Sequence, residues 1–73
     1  MTLYEILEVF KSTEKFNVAV KGGEPVFNDK IDFYRMRKAI EYYEDAEDKL
    51  IDCYADKNVL SIDMVRNIII IEE

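Results

Sequence analysis

The chain contains no histidine and no tryptophan. Without imidazole, it lacks the commonest general base and the usual activator of a nucleophile. It has one cysteine, Cys53, so no disulfide can close within it. A lone thiol fits a reducing setting, and the expected compartment is the cytoplasm. Proline occurs once and glycine twice, all three within Gly22–Pro25. No apolar stretch approaches membrane-spanning length; the longest is Ile68–Ile71. The N-terminus opens on a polar, amphipathic segment without the pattern of a signal peptide. A basic surface is also missing. Ten cations stand against sixteen carboxylates, for a net charge of −6. That balance argues against direct nucleic-acid binding and against docking to an anionic membrane.

The 73 residues are about half apolar and about a third charged, a globular composition that makes 1–73 a single domain. A core this small is marginal on its own, or is helped by association. Plain solubility is the first account of the acidity; it is also compatible with a basic protein partner, including the nucleic-acid groove of another protein.

Thr2 and Glu5 have capping-box spacing. Leu3, Ile6, Leu7 and Phe10 follow at helical steps, so a first helix is expected from about Thr2 to Lys11, with Val9 widening its apolar face. Phe16–Lys21 alternates with period two. Gly22-Gly23 then supplies a two-residue turn, and Glu24–Phe27 the return strand of a hairpin. Val18, Val20 and Phe27 share its core face, and Pro25 places the return strand at a sheet edge. Asn28 and Asp29 are the expected caps of a second helix, whose buried face gathers Phe33, Met36, Ala39, Ile40 and Tyr43.

The far end of that helix has two readings. It continues through Leu50 and Tyr54, or it breaks near Asp45–Asp48. The break is preferred, because Leu50–Ala55 alternates, Asp56-Lys57-Asn58 forms turns, and Val59–Met64 alternates again. An even loop then puts Ile51, Cys53, Leu60, Ile62 and Met64 on one apolar face, with Asp52 opposite Asp63 on the other. Val65-Arg66-Asn67 reads as a bend. Four consecutive isoleucines follow, a run that is buried on both sides, lies centrally in a sheet, or meets another copy of the chain. The expected fold is α+β: two helices on a small, mainly antiparallel sheet, in the order α-β-β-α-β-β-(β).

This layout resembles a group of small phage and prophage proteins of Gram-positive bacteria. The resemblance rests on "TLYEILEVF", on "VAVKGGEPVF", and on "YYEDAEDKLIDCYADKNVLSIDM", where a Y-x-D-A-E segment leads into a strand, a turn and a strand. It runs to Met64 and ends there; Val65–Glu73 departs from it. It implies a mobile-element origin and a host cytoplasm. It further implies an antagonist of host defence, of the anti-CRISPR or anti-restriction kind. No functional residue carries over from it.

Chemistry is sparse. Cys53 falls on the expected core face and reads as a small hydrophobe. Glu44/Asp48 and Glu41/Asp45 are four apart, but the loop of a calcium site is missing, so no metal and no cofactor is expected. Gly22-Gly23 lacks the sequel of a phosphate loop. The chain is not expected to be an enzyme. The stronger lead is a surface. Tyr34 and Tyr42 lie on the solvent side of the second helix, and such rings are enriched at interaction hot spots. Glu41, Glu44, Asp45, Glu47, Asp48, Asp52 and Asp56 extend that surface as an acidic ridge able to imitate spaced phosphates. The resulting expectation is an inhibitory binding protein that blocks a host nucleic-acid-handling enzyme. The alternative is an assembly protein that self-associates through Ile68, Ile69, Ile70 and Ile71, giving a homodimer.

Overall fold

A computed structural model describes residues 1–73. The fold is α+β, with three helices and one three-stranded mixed sheet. In chain order the elements are α1 (Leu3–Val9), β1 (Asn17–Val20), α2 (Phe33–Glu41), α3 (Ala46–Cys53), β2 (Val59–Asp63) and β3 (Ile68–Ile71). The sheet order is β1-β3-β2. β3 runs parallel to β1 and antiparallel to β2.

Helix α1 starts as its sequence dictates. The Thr2 hydroxyl accepts the Glu5 N–H while the Glu5 carboxylate accepts the Thr2 N–H, a complete capping box. Leu3 and Leu7 enter the core, whereas Val9 is 63% exposed. Helix α2 is capped by Asp32, which accepts from the Arg35 N–H, and not by Asn28 or Asp29. Its Phe33, Met36 and Ala39 are buried at the expected spacing. Tyr43 is not; it lies beyond the helix and is half-exposed.

The core joins these helices to one face of the sheet. Leu3, Leu7, Phe33, Met36, Ala39 and Ile51 pack against Val18, Ile69 and Ile71. Phe33 is the hinge of an aromatic cluster, with ring centres 5.6 Å from Phe10 and 5.1 Å from Phe16, both tilted.

Two expected hairpins differ from what forms. The first turn is centred one residue early. The Gly23 N–H bonds the Val20 carbonyl, so Lys21 and Gly22 are the central pair, and Gly22 takes φ +79°. Positive φ at the second central position is the type II pattern, and unprimed turns splay their flanking strands. Pairing therefore fades after a single bridge, Ala19 to Pro25. The Asn17 side chain replaces the missing ladder. Its Oδ1 accepts from the Phe27 N–H and its Nδ2 donates to the Phe27 carbonyl, which seats Phe27 in the core.

The second correction is larger. Residues Ala46–Cys53 form helix α3, so the expected strand over Leu50–Ala55 does not exist. Asp45 caps α3 by accepting from the Asp48 N–H, and Glu47 and Asp48 in its first turn suit the helix dipole. The helical break near Asp45 is present, but helix resumes beyond it. Cys53, Leu60 and Met64 are consequently exposed rather than buried, and only Ile51 of that expected face is fully enclosed. The real hairpin joins β2 to β3. Asp63 closes its turn, accepting from the N–H groups of Val65 and Arg66 and pairing with the Arg66 Nε at 2.7 Å. Asn67 ends the turn at φ +54°, a conformation asparagine tolerates.

β3 is the central strand, so the isoleucine run adopts one of its three expected placements. Ile69 and Ile71 point into the core; Ile68 and Ile70 are half-buried on the opposite face. Both edges of β3 are already paired. A second copy therefore has no free edge on β3 to extend.

Candidate interaction surface

Two helices meeting end to end create the most exposed stretch in the chain. α2 closes when the Tyr42 N–H bonds the Lys38 carbonyl, and α3 begins three residues later at its Asp45 cap. Glu41, which ends α2, and Tyr42, Tyr43, Glu44, Asp45 and Ala46 after it are all exposed, six residues in succession. Tyr42 is 73% exposed and Tyr34, two turns earlier on α2, is 60% exposed.

This connection is pinned from beneath. Asp48 is buried, accepts two bonds from one guanidinium nitrogen of Arg35, and also accepts from the Glu44 N–H at 3.2 Å. One carboxylate thus ties α2, the connecting loop and α3 together. The same contact holds the Arg35 guanidinium above its ordinary range, through the hydrogen bond to Asp48 first. No buried side-chain nitrogen or oxygen is left without a partner.

The placement of the sequence-derived residues follows. Tyr34, Glu41, Tyr42, Glu44, Asp45 and Asp56 are exposed; Glu47 and Asp52 are half-buried. Asp48 is 1% exposed and belongs to the interior, so it leaves the acidic surface. Glu41 and Asp56 come together along one notch with Tyr4 and Ile40. The Tyr4 phenol is held above its ordinary range by Glu8 first, and also by Glu41, to which its hydroxyl donates at 3.4 Å.

The carboxylates do not form a single ridge. The outermost side of α3 carries Ala46, Lys49, Leu50 and Cys53. Cations are interleaved with the rings as well. The Lys38 ammonium lies 5.5 Å from the Tyr34 ring centre, and the Lys49 ammonium 5.4 Å from that of Tyr43. Sequence reasoning missed Tyr43 and Lys49 on this surface. Asp45 and Asp48, three apart as a helix cap and the first-turn residue whose N–H it accepts, were the available signal for α3 and hence for both.

The arrangement suits recognition. Solvated carboxylates and partly exposed phenols offer hydrogen-bond acceptors and apolar rings on a fixed loop. No group of three or more metal-ligating side chains converges anywhere in the chain. No helix is long and apolar enough to cross a membrane. Comparison with protein-family models, with curated proteins and with solved structures finds no match to this chain.

Proposed function

We propose that this chain is a phage-encoded inhibitory binding protein. It docks the Glu41–Asp45 loop, flanked by Tyr34 and Asp56, into the basic nucleic-acid groove of a host defence enzyme. The observation that carries the reading is the unbroken exposure of Glu41-Tyr42-Tyr43-Glu44-Asp45. A groove built for phosphates is lined by Arg and Lys, which accept carboxylates at comparable spacing. Tyr42 adds a large ring with few rotors to immobilise, the kind of residue that dominates binding energy. Pinning by Asp48 reduces the ordering cost that a free loop would incur on docking.

The test is competitive. The immobilised chain is exposed to a lysate of the bacterial host, and the captured protein is challenged with duplex DNA and with rising salt. Displacement by DNA, together with loss of capture by the Tyr42→Ala/Glu44→Ser variant, is the expected result. Capture that resists both DNA and salt, or that survives the double substitution, removes the phosphate-imitation reading.

A further inference from the structure

The end of α1 and the first half of α2 diverge around a cleft of about 210 Å³. Its floor is apolar, formed by Leu7, Phe10 and Phe33. Its rim carries Lys11, Arg37 and Tyr34, and no carboxylate lines it. In a chain with sixteen carboxylates and ten cations, that composition runs against the average. The two side-chain ion pairs of the fold, Arg35–Asp48 and Arg66–Asp63, leave both Lys11 and Arg37 unpaired. Arg37 is half-buried as a residue, and its guanidinium makes no ion pair within the chain. It also borders a notch containing Glu8 and Glu41, yet neither carboxylate comes within 4 Å of its guanidinium nitrogens. The Ser12 hydroxyl, also at the cleft, accepts the Glu14 N–H at 3.1 Å and keeps its own proton to donate.

We propose that this cleft binds a small amphipathic anion: a carboxylate carried on an aromatic or branched aliphatic body. The apolar body covers Phe10 and Phe33, and the carboxylate meets the guanidinium of Arg37 and the ammonium of Lys11. A guanidinium presents donors in a planar fork that matches a carboxylate, and charge-assisted bonds of this kind are roughly twice as strong as neutral ones. The volume is below the roughly 300–1,000 Å³ of drug-sized sites, which sets the ligand at the size of a single ring with a short acidic arm. This site shares Tyr34 with the interface proposed above and uses none of its carboxylates.

Titration of the ¹⁵N-labelled chain with 3-phenylpropionate, and separately with its neutral amide, tests the assignment. Saturable shifts confined to the amides of Leu7–Thr13 and Phe33–Arg37 are expected. The acid should bind at least tenfold more tightly than the amide, a difference of about 1.4 kcal/mol. Arg37→Gln should lose the same factor. Lys11→Gln, at an exposed position, provides a second reading should Arg37→Gln disturb the fold. Absence of saturation up to about 10 mM overturns the proposal, as does equal binding of acid and amide, or shifts centred elsewhere.

Discussion

One guanidinium nitrogen of Arg35 donates to both carboxylate oxygens of Asp48, at 2.8 and 2.9 Å. Both residues sit in the first turn of their helices, so this pair sets how α2 and α3 meet. The Asp48 side chain is 2% exposed, while that of Arg35 is 39% exposed. Removing either partner is therefore unequal. Arg35→Met strands a buried charge and should cost about 3 kcal/mol, the lower end for breaking a buried pair because solvent already screens the arginine. Asp48→Asn leaves an arginine that can reach water and should cost about 1–2 kcal/mol. The double variant Arg35→Met/Asp48→Leu should recover part of the single-variant loss. Urea unfolding at neutral pH measures all three. Equal effects of the two single variants would show that the pair is not the buried tie described.

Asp45 has two roles that substitution separates. Its carboxylate caps α3 and also adds charge to the exposed loop. Asp45→Ala should cost about 1 kcal/mol, equivalent to roughly 4–8 °C in melting temperature for a domain of this size. Asp45→Ser keeps an acceptor oxygen and should stay within about 0.5 kcal/mol of the parent. Both remove the charge, so both should weaken partner capture alike. Thermal unfolding followed by circular dichroism checks the stability order. Equal destabilisation by Ser and Ala would mean that charge at the helix start, not the capping bond, stabilises α3.

Acid should loosen the fold at two turns. Asp63 is held below the usual carboxylate range, by the Arg66 backbone N–H first and then by its side chain. Glu5 is likewise lowered, chiefly by the backbone N–H of Thr2. A depressed folded-state value means that the unfolded chain binds the proton first on acidification. The stabilising contribution is thus complete above the ordinary carboxylate range, starts to fall near about pH 4–5, and is gone below the folded-state values. The stability difference between the parent and Asp63→Asn should shrink steadily over that window. Urea midpoints from pH 6 to pH 2 report it; a difference that is flat with pH would detach Asp63 from acid stability.

The helices with ordinary signals were legible in the sequence. Thr2 with Glu5 gave the start of α1, and the spacing of Phe33, Met36 and Ala39 gave the buried face of α2. The α+β class followed from them. Leu50–Ala55 misled because a short segment with period two also fits a helix, and its decisive partner, Arg35, is thirteen residues from Asp48 in the chain. The parallel pairing of β1 with β3 was equally hidden, since it joins Asn17–Val20 to Ile68–Ile71 across the whole fold. Within the surface, Tyr34, Tyr42 and the exposed carboxylates Glu41, Glu44, Asp45 and Asp56 were placed outward by pattern alone. Asp48 was not distinguishable from its neighbours, because its burial depends on that same distant arginine.

The isoleucines of β3 offer the sharpest check on the sheet. Ile69 and Ile71 are fully enclosed, while Ile68 and Ile70 are half-buried on the face away from the helices. Ile69→Ala removes packed atoms and leaves a cavity, at about 2–5 kcal/mol. Ile70→Thr keeps the β-branch that a central strand favours and leaves the buried face untouched, so it should cost about 1 kcal/mol or less. The contrast distinguishes a one-sided sheet from one covered on both faces. If Ile70→Thr matches Ile69→Ala, a second layer must cover Ile68 and Ile70. With both edges of β3 already paired, a face-to-face dimer would supply that layer. Parent stability would then rise with protein concentration, and sedimentation would show the dimer. A small Ile70→Thr effect with concentration-independent unfolding leaves the sheet open on that side and the chain folded as a monomer.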